Sequence, residues 1–154
     1  MKISVISPGK VREKWLRAGL DEYVKRLKRY SSVELVEVAD SPDQLSPAVA
    51  RVREGKAILS RLKDRSYVIA LDQSGRKHSS EELALLLPKW FELGGSEISF
   101  VIGGATGLDP AILERADYSL SLSDMTFTHQ MTRLILLEQC YRAFRIASNE
   151  PYHK

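Results

Sequence analysis

Residues 99–110 read Ser-Phe-Val-Ile-Gly-Gly-Ala-Thr-Gly-Leu-Asp-Pro, and residues 118–129 read Tyr-Ser-Leu-Ser-Leu-Ser-Asp-Met-Thr-Phe-Thr-His. The first stretch is an apolar run that breaks into a glycine turn, followed by Asp109 and Pro110 in the order that caps and opens a short helix. The second is a brief strand running out into a polar loop. Two strand-to-loop exits are therefore expected close together, and in an open α/β sheet ligands settle in the crevice outside the carboxyl ends of the strands. Residues 99–129 are where this chain should hold its site.

Outward from that stretch, strands alternate with helices. Residues 2–7, built around Ile3, Val5 and Ile6, read as a first strand ended by Pro8-Gly9. Trp15, Leu16, Leu20, Tyr23, Val24 and Leu27 then recur at helical spacing over residues 12–30. Residues 33–38 form a second strand, and residues 47–63 a weaker helix interrupted at Gly55. Residues 67–71, Tyr-Val-Ile-Ala-Leu, are apolar without alternation, the mark of a strand covered on both faces; Asp72-Gln-Ser-Gly-Arg is expected as its turn. Ser79 and Glu82 make a capping box. The helix they open runs through Leu83, Leu86, Leu87 and Trp90 to Gly94-Gly95, with Pro88 expected to kink it. A last helix spans residues 128–148. The expected fold is α/β: one domain over residues 1–154, a mostly parallel sheet with helices on both faces.

With 154 residues, 44% hydrophobic and 28% charged, the chain can bury one core and is neither disordered nor fibrous. No apolar run approaches the roughly 20 residues of a membrane span, and no signal-peptide core opens the sequence, so a cytoplasmic protein is expected. Cys140, the single cysteine, stands among apolar residues at helical spacing and reads as a small core hydrophobe. A net charge of +3 permits a polyanionic partner without demanding one. Lys14, Arg17, Lys25, Arg26, Lys28 and Arg29 share the polar face of the first long helix, either a solvated face or a surface for an RNA backbone. In the last helix Met131, Leu134, Leu137, Tyr141 and Phe144 form one apolar stripe, with Ile135, Leu136, Cys140, Ala143 and Ala147 beside it. That surplus fits either a second copy of the chain or a central place within one copy.

Several chemistries are excluded by pattern. His78, His129 and His153 lack metal-ligand spacing. No G-x-S-x-G follows a strand, and no glycine loop ends in Lys-Ser/Thr. The turn Gly103-Gly104-Ala105-Thr106-Gly107 is not G-x-G-x-x-G and follows a late strand, which argues against a dinucleotide fold. Alone it could be a plain tight turn or a place where backbone approaches a flat ligand. The second loop, Leu122 to Phe127, sets apolar side chains beside bare backbone groups, as an adenine ring requires. Neither loop has phosphate-binding features, so an adenosyl ligand without phosphates, S-adenosyl-L-methionine, fits better than a nucleotide.

Four blocks in order carry a resemblance that covers the whole chain. They are Leu71-Asp72 with its glycine turn, Ile102-Gly103-Gly104 with Gly107-Leu108, Ser119 to Phe127 with His129, and Tyr141-Arg142-Ala143 followed by the ending Pro151-Tyr152-His153-Lys154. They resemble the small stand-alone members of the SPOUT family of knotted RNA methyltransferases. The resemblance implies S-adenosyl-L-methionine as cofactor, held by Leu71, Gly103, Gly104, Leu122, Ser123, Asp124, Met125, Thr126 and Phe127, with Asp124 contributing its backbone. It implies methylation of N3 of a pseudouridine in a loop of 23S ribosomal RNA, in the ribosome, by a homodimer whose C-terminal third is tied in a trefoil knot. Tyr152, His153 and Lys154 would stand beside the target base, Tyr152 stacking on it, His153 taking the N3 proton and Lys154 neutralising a phosphate. The family ends in Arg where this chain has Lys154, which lacks the bidentate fork. Arg133 and Arg142 would reach the substrate or a second subunit, and His129 would cap the last helix or touch RNA. A non-catalytic RNA-binding module of the same fold is the alternative, and a dinucleotide oxidoreductase a weaker one.

Overall fold

The structure, a computed structural model, describes residues 1–152. In chain order it comprises β1 (Lys2–Pro8), α1 (Lys14–Leu27), β2 (Ser32–Val38), α2 (Pro47–Leu59), β3 (Tyr67–Lys77), α3 (Ser80–Leu93), β4 (Glu97–Ile102), α4 (Pro110–Arg115), β5 (Tyr118–Ser121) and α5 (His129–Ala147). The strands form one sheet in the order β2-β1-β4-β3-β5, and every neighbouring pair is parallel.

Alternation along the strands divides the core between the two faces, because successive side chains point to opposite sides of a sheet. Ile3, Val5, Ile69, Ile98, Phe100 and Ile102 face α1, α3 and α5, while Ile6, Val68 and Val101 face Ile58 of α2 and Ile112 of α4. Helices on both faces of a parallel sheet are thus observed. Ser66, just before β3, and Ser99 of β4, both buried, satisfy each other at 3.0 Å.

The helix starts follow their capping residues. Ser79 and Glu82 form the reciprocal capping box, Asp109 accepts from Ala111 N at 2.7 Å, and Thr128 Oγ1 accepts from Met131 N at 3.2 Å. Gly55 does not interrupt its helix. It lies inside α2 at a close approach, where a Cβ would sit 2.8 Å from that of Asp109.

Residues 72–76 are not a turn. β3 continues to Lys77, and both Leu71 and Arg76 pair with Leu120 of β5, so the intervening residues form an irregularity within a strand that keeps its direction. Polar, glycine-containing sequence marks both cases alike. Gly75 passes the β5 backbone so closely that a Cβ would sit 2.7 Å from the carbonyl carbons of Ser119 and Leu120.

α5 lies in the layer formed with α1 and α3. Leu136, Leu137 and Cys140 are fully buried, and Leu134 meets Gly19 of α1. The surplus apolar surface of this helix is therefore covered largely within one copy of the chain. Burial pushes the Cys140 thiol up to about 12, in keeping with a core residue. Arg17 pairs with Glu37, Arg26 with Glu22 and, just beyond α1, Arg29 with Glu150, so half of the six basic residues expected on one face are engaged within the fold.

Candidate functional site

Two strand ends meet the irregularity of a third strand. Leu71 of β3 pairs with Ile102 of β4 on one side and Leu120 of β5 on the other, so the irregular segment of β3 beginning at Asp72 and the segments leaving the sheet at Gly103 and Leu122 lie next to one another. Between them opens a cavity of about 630 Å³ whose walls include Leu71, Gly103, Gly104, Leu122, Ser123, Met125, Thr126 and Phe127, with His129 and Thr132 from α5. Eight of the nine residues expected around a cofactor are thus brought to one cavity; the ninth, Asp124, is not in its walls.

The glycine loop owes its shape to close backbone packing. Gly104 and Gly107 form an antiparallel bridge, and the Gly107 N–H donates to the Gly104 carbonyl at 3.1 Å. Gly107 has φ +85°, a conformation that other residues rarely adopt. From below, α2 holds the loop: Arg51 Nη1 donates to the Thr106 carbonyl at 3.2 Å, and the Glu54 carboxylate lies directly against Gly104. Glu54 is only 7% exposed; its Oε1 accepts the Ser41 N–H at 3.1 Å, whereas Oε2 has no hydrogen-bond partner. The sequence reading missed Glu54. The adjacent Gly55, misread as a helix interruption, was the available sign that this turn of α2 meets another segment closely.

The loop after β5 is ordered by serine hydroxyls. Ser121 Oγ donates to the Ser123 carbonyl, and Ser123 Oγ accepts the Met125 N–H at 3.0 Å. Asp124 points outward and pairs with Lys77, and its carbonyl accepts from Gln73 Nε2, which ties the loop to β3. Met125, 76% exposed, and Phe127 stand at the rim as large apolar side chains beside open backbone.

His129 opens α5, whose cap is Thr128, and lines the cavity. Burial and the neighbouring Arg133 hold its imidazole below the usual histidine range, partly offset by Glu54 and Asp40. Arg133 itself does not face the cavity. It is buried and donates from Nη2 to the carbonyls of Pro8 at 2.7 Å and Gly9 at 3.0 Å.

Tyr152 is placed elsewhere. Its hydroxyl donates to Glu138 Oε1 at 3.3 Å and lies 3.5 Å from the Tyr23 hydroxyl; its ring meets Tyr141 edge-on and carries the Arg142 guanidinium at 4.8 Å. Arg142 also donates to Glu138. Glu138 is nine residues beyond His129, about 14 Å along the helix. Tyr152 is therefore not in the cavity wall of its own chain, contrary to the expectation of a tail beside the same pocket. Burial, then contacts with Tyr23 and Glu138, push its phenol up to about 12, so it stays protonated at neutral pH. His153 and Lys154 lie outside the described residues.

Among the described residues, no group of three or more His, Cys, Asp or Glu could hold a metal ion, and no helix is long and apolar enough to cross a membrane. The family model described as predicted SPOUT methyltransferase matches residues 1–153. Proteins named ribosomal RNA large subunit methyltransferase H from Acetivibrio thermocellus and Alkaliphilus oremlandii are each 50% identical over 159 aligned residues, covering 100% of both chains. The crystal structure of the tRNA (m1G37) methyltransferase from Aquifex aeolicus shares the fold at TM-score 0.58 and 16% identity, over 100% of this chain and 74% of that one.

Proposed function

The chain belongs to the SPOUT methyltransferase family, and we propose that it methylates large-subunit ribosomal RNA with S-adenosyl-L-methionine as donor, at N3 of a pseudouridine in 23S RNA. The observation that carries this reading is full-length likeness to large-subunit methyltransferases in a chain whose cavity fits the cofactor. The fit is chemical. The cavity offers apolar side chains and glycine backbone, as a flat adenosyl group requires, and behind its glycine loop stand a buried carboxylate and an arginine turned to the Thr106 carbonyl rather than to a phosphate. Leu71, Gly103, Gly104 and the loop Leu122 to Phe127 would hold the cofactor, Asp124 from outside through its bond to Lys77. When bound, S-adenosyl-L-methionine supplies an electrophilic methyl sulfonium.

The protein's own task is then to set the attacking nitrogen in line and to accept its proton. We assign the proton to His153, stacking on the base to Tyr152, and a phosphate contact to Lys154. The raised phenol value of Tyr152 suits a stacking and donating role rather than that of the base. Its packing against Glu138 and Tyr141 of α5, away from the cavity of its own chain, supports a homodimer in which the tail of one subunit serves the cavity of the other. The same reading places the protein in the cytoplasm, acting on assembled ribosomes, with the C-terminal third knotted. Methyl transfer from labelled cofactor to ribosomes tests it. Ribosome binding with no transfer and no cofactor affinity would leave a binding module instead.

A further inference from the structure

A buried carboxylate with one orphaned oxygen is costly unless something completes it. Glu54 is such a group. Its Oε1 accepts the Ser41 N–H, its Oε2 has no partner, and it lies so near the cavity wall that a Cβ on Gly104 would sit 2.9 Å from Oε2. A second buried polar group in the same loop, the Thr106 hydroxyl, is also without a partner. The arginine on the same face of α2, Arg51, directs its guanidinium to the Thr106 carbonyl instead. An unanswered carboxylate oxygen and an unanswered hydroxyl therefore back the glycine loop of a cavity whose walls combine apolar side chains with Asp72, Ser123, Thr126 and His129.

What completes the carboxylate must bring N–H or O–H donors and preferably a positive charge, whereas the hydroxyl can donate or accept. Resting on the cofactor assigned above, we propose that Glu54 receives the α-ammonium group of bound S-adenosyl-L-methionine. The sulfonium is the cofactor's other cation, but it has no hydrogen to donate and cannot satisfy an orphaned acceptor. Glycine at 104 has its reason in the same contact: any side chain there would take the place of the carboxylate or push it away. Glu54 would thus be a binding residue on α2, outside the three loops that enclose the cavity.

Calorimetric titration of the full chain and of Glu54→Gln with three ligands tests the assignment. Gln keeps an acceptor for the Ser41 N–H and removes the charge. S-adenosyl-L-methionine has both cations, S-adenosylhomocysteine only the ammonium, and 5′-methylthioadenosine neither. The expected result is about tenfold weaker binding of the first two and methylthioadenosine affinity within about twofold of the unaltered chain. Equal loss for all three would mean that Glu54 only supports the loop, loss for S-adenosyl-L-methionine alone would move the contact to the sulfonium, and no loss would remove Glu54 from the site; each overturns the proposal. Should Glu54→Gln fail to fold, the unaltered chain decides: the des-amino analogue of S-adenosylhomocysteine should bind at least about tenfold more weakly than its parent, and equal affinity overturns the proposal. Failure of the unaltered chain to bind S-adenosyl-L-methionine at all would instead refute the cofactor assignment beneath it.

Discussion

Gly103 lies so close to Gly107 that a Cβ on it would sit 2.7 Å from the Gly107 carbonyl carbon. The two glycines close the loop that floors the cavity, and the contact is backbone against backbone, with no flexible side chain to yield. Gly103→Ala should therefore open the turn. The expected cost is about 1–3 kcal/mol of stability by overpacking, with cofactor affinity reduced at least about tenfold, read by thermal melting and calorimetry. An unchanged affinity would mean that the loop does not shape the binding surface.

The tail prediction follows from Tyr152. Because it packs on Tyr141, Glu138 and Tyr23 and not in the cavity wall, removal of Tyr152, His153 and Lys154 should abolish turnover and leave cofactor affinity within about twofold. Mixed dimers sharpen this. In each heterodimer of a tail-deleted subunit with a Gly103→Ala subunit, one of the two cavity-and-tail pairs is intact if the two parts come from different chains, so about half of the unaltered dimer's activity should be recovered. No recovery in a mixture shown to form heterodimers would put the tail and the cavity of one chain together.

Arg133 supports the site from behind. At 3% exposure it holds the Pro8 and Gly9 carbonyls, with Nη1 3.9 Å from Glu37, and so ties the end of β1 to the first turns of α5. Arg133→Met keeps most of the side-chain bulk and loses charged hydrogen bonds worth roughly 1.5–3 kcal/mol each. A net loss of about 2–4 kcal/mol is expected in urea unfolding, the lower figure reflecting relief of the buried charge. Undiminished stability would show the contact to be incidental.

His129 gives the fold a pH dependence with a defined sign. Its folded value lies below the ordinary 6.5, so on acidification the unfolded chain takes up this proton first. Its contribution is complete above about pH 6.5 and is lost as pH falls from there through the lower folded value. His129→Asn should make the melting temperature fall less between pH 6.5 and pH 5 than it does in the unaltered chain. An identical slope would mean that another group governs acid lability.

Much of this was legible because it is local. The caps at Ser79 and Asp109, the period of α1 and the apolar run at residues 67–71 depend on near neighbours in the chain, and each appears where its residues stand, whereas the cap of α5 is Thr128 and not His129. The convergence of residues 71, 103 and 122 followed from the rule for strand ends and from the family resemblance. What escaped is long-range. Nothing within residues 72–76 distinguishes a reversal from an irregularity in a continuing strand, since the partner that decides it is β5, more than forty residues on. Gly55 and Glu54 show their purpose only once Asp109 and Gly104 are beside them. Leu136, Cys140 and Ala143 read as surplus apolar surface because the covering helices, α1 and α3, are distant in sequence.

The central claim is tested most directly on ribosomes that lack the modification. Purified chain, labelled S-adenosyl-L-methionine and 70S particles from such a strain should yield close to one methyl group per 23S RNA, found by nuclease digestion and mass spectrometry on N3 of a single pseudouridine. Absence of label from 23S RNA, under conditions where calorimetry shows the cofactor bound, would contradict it.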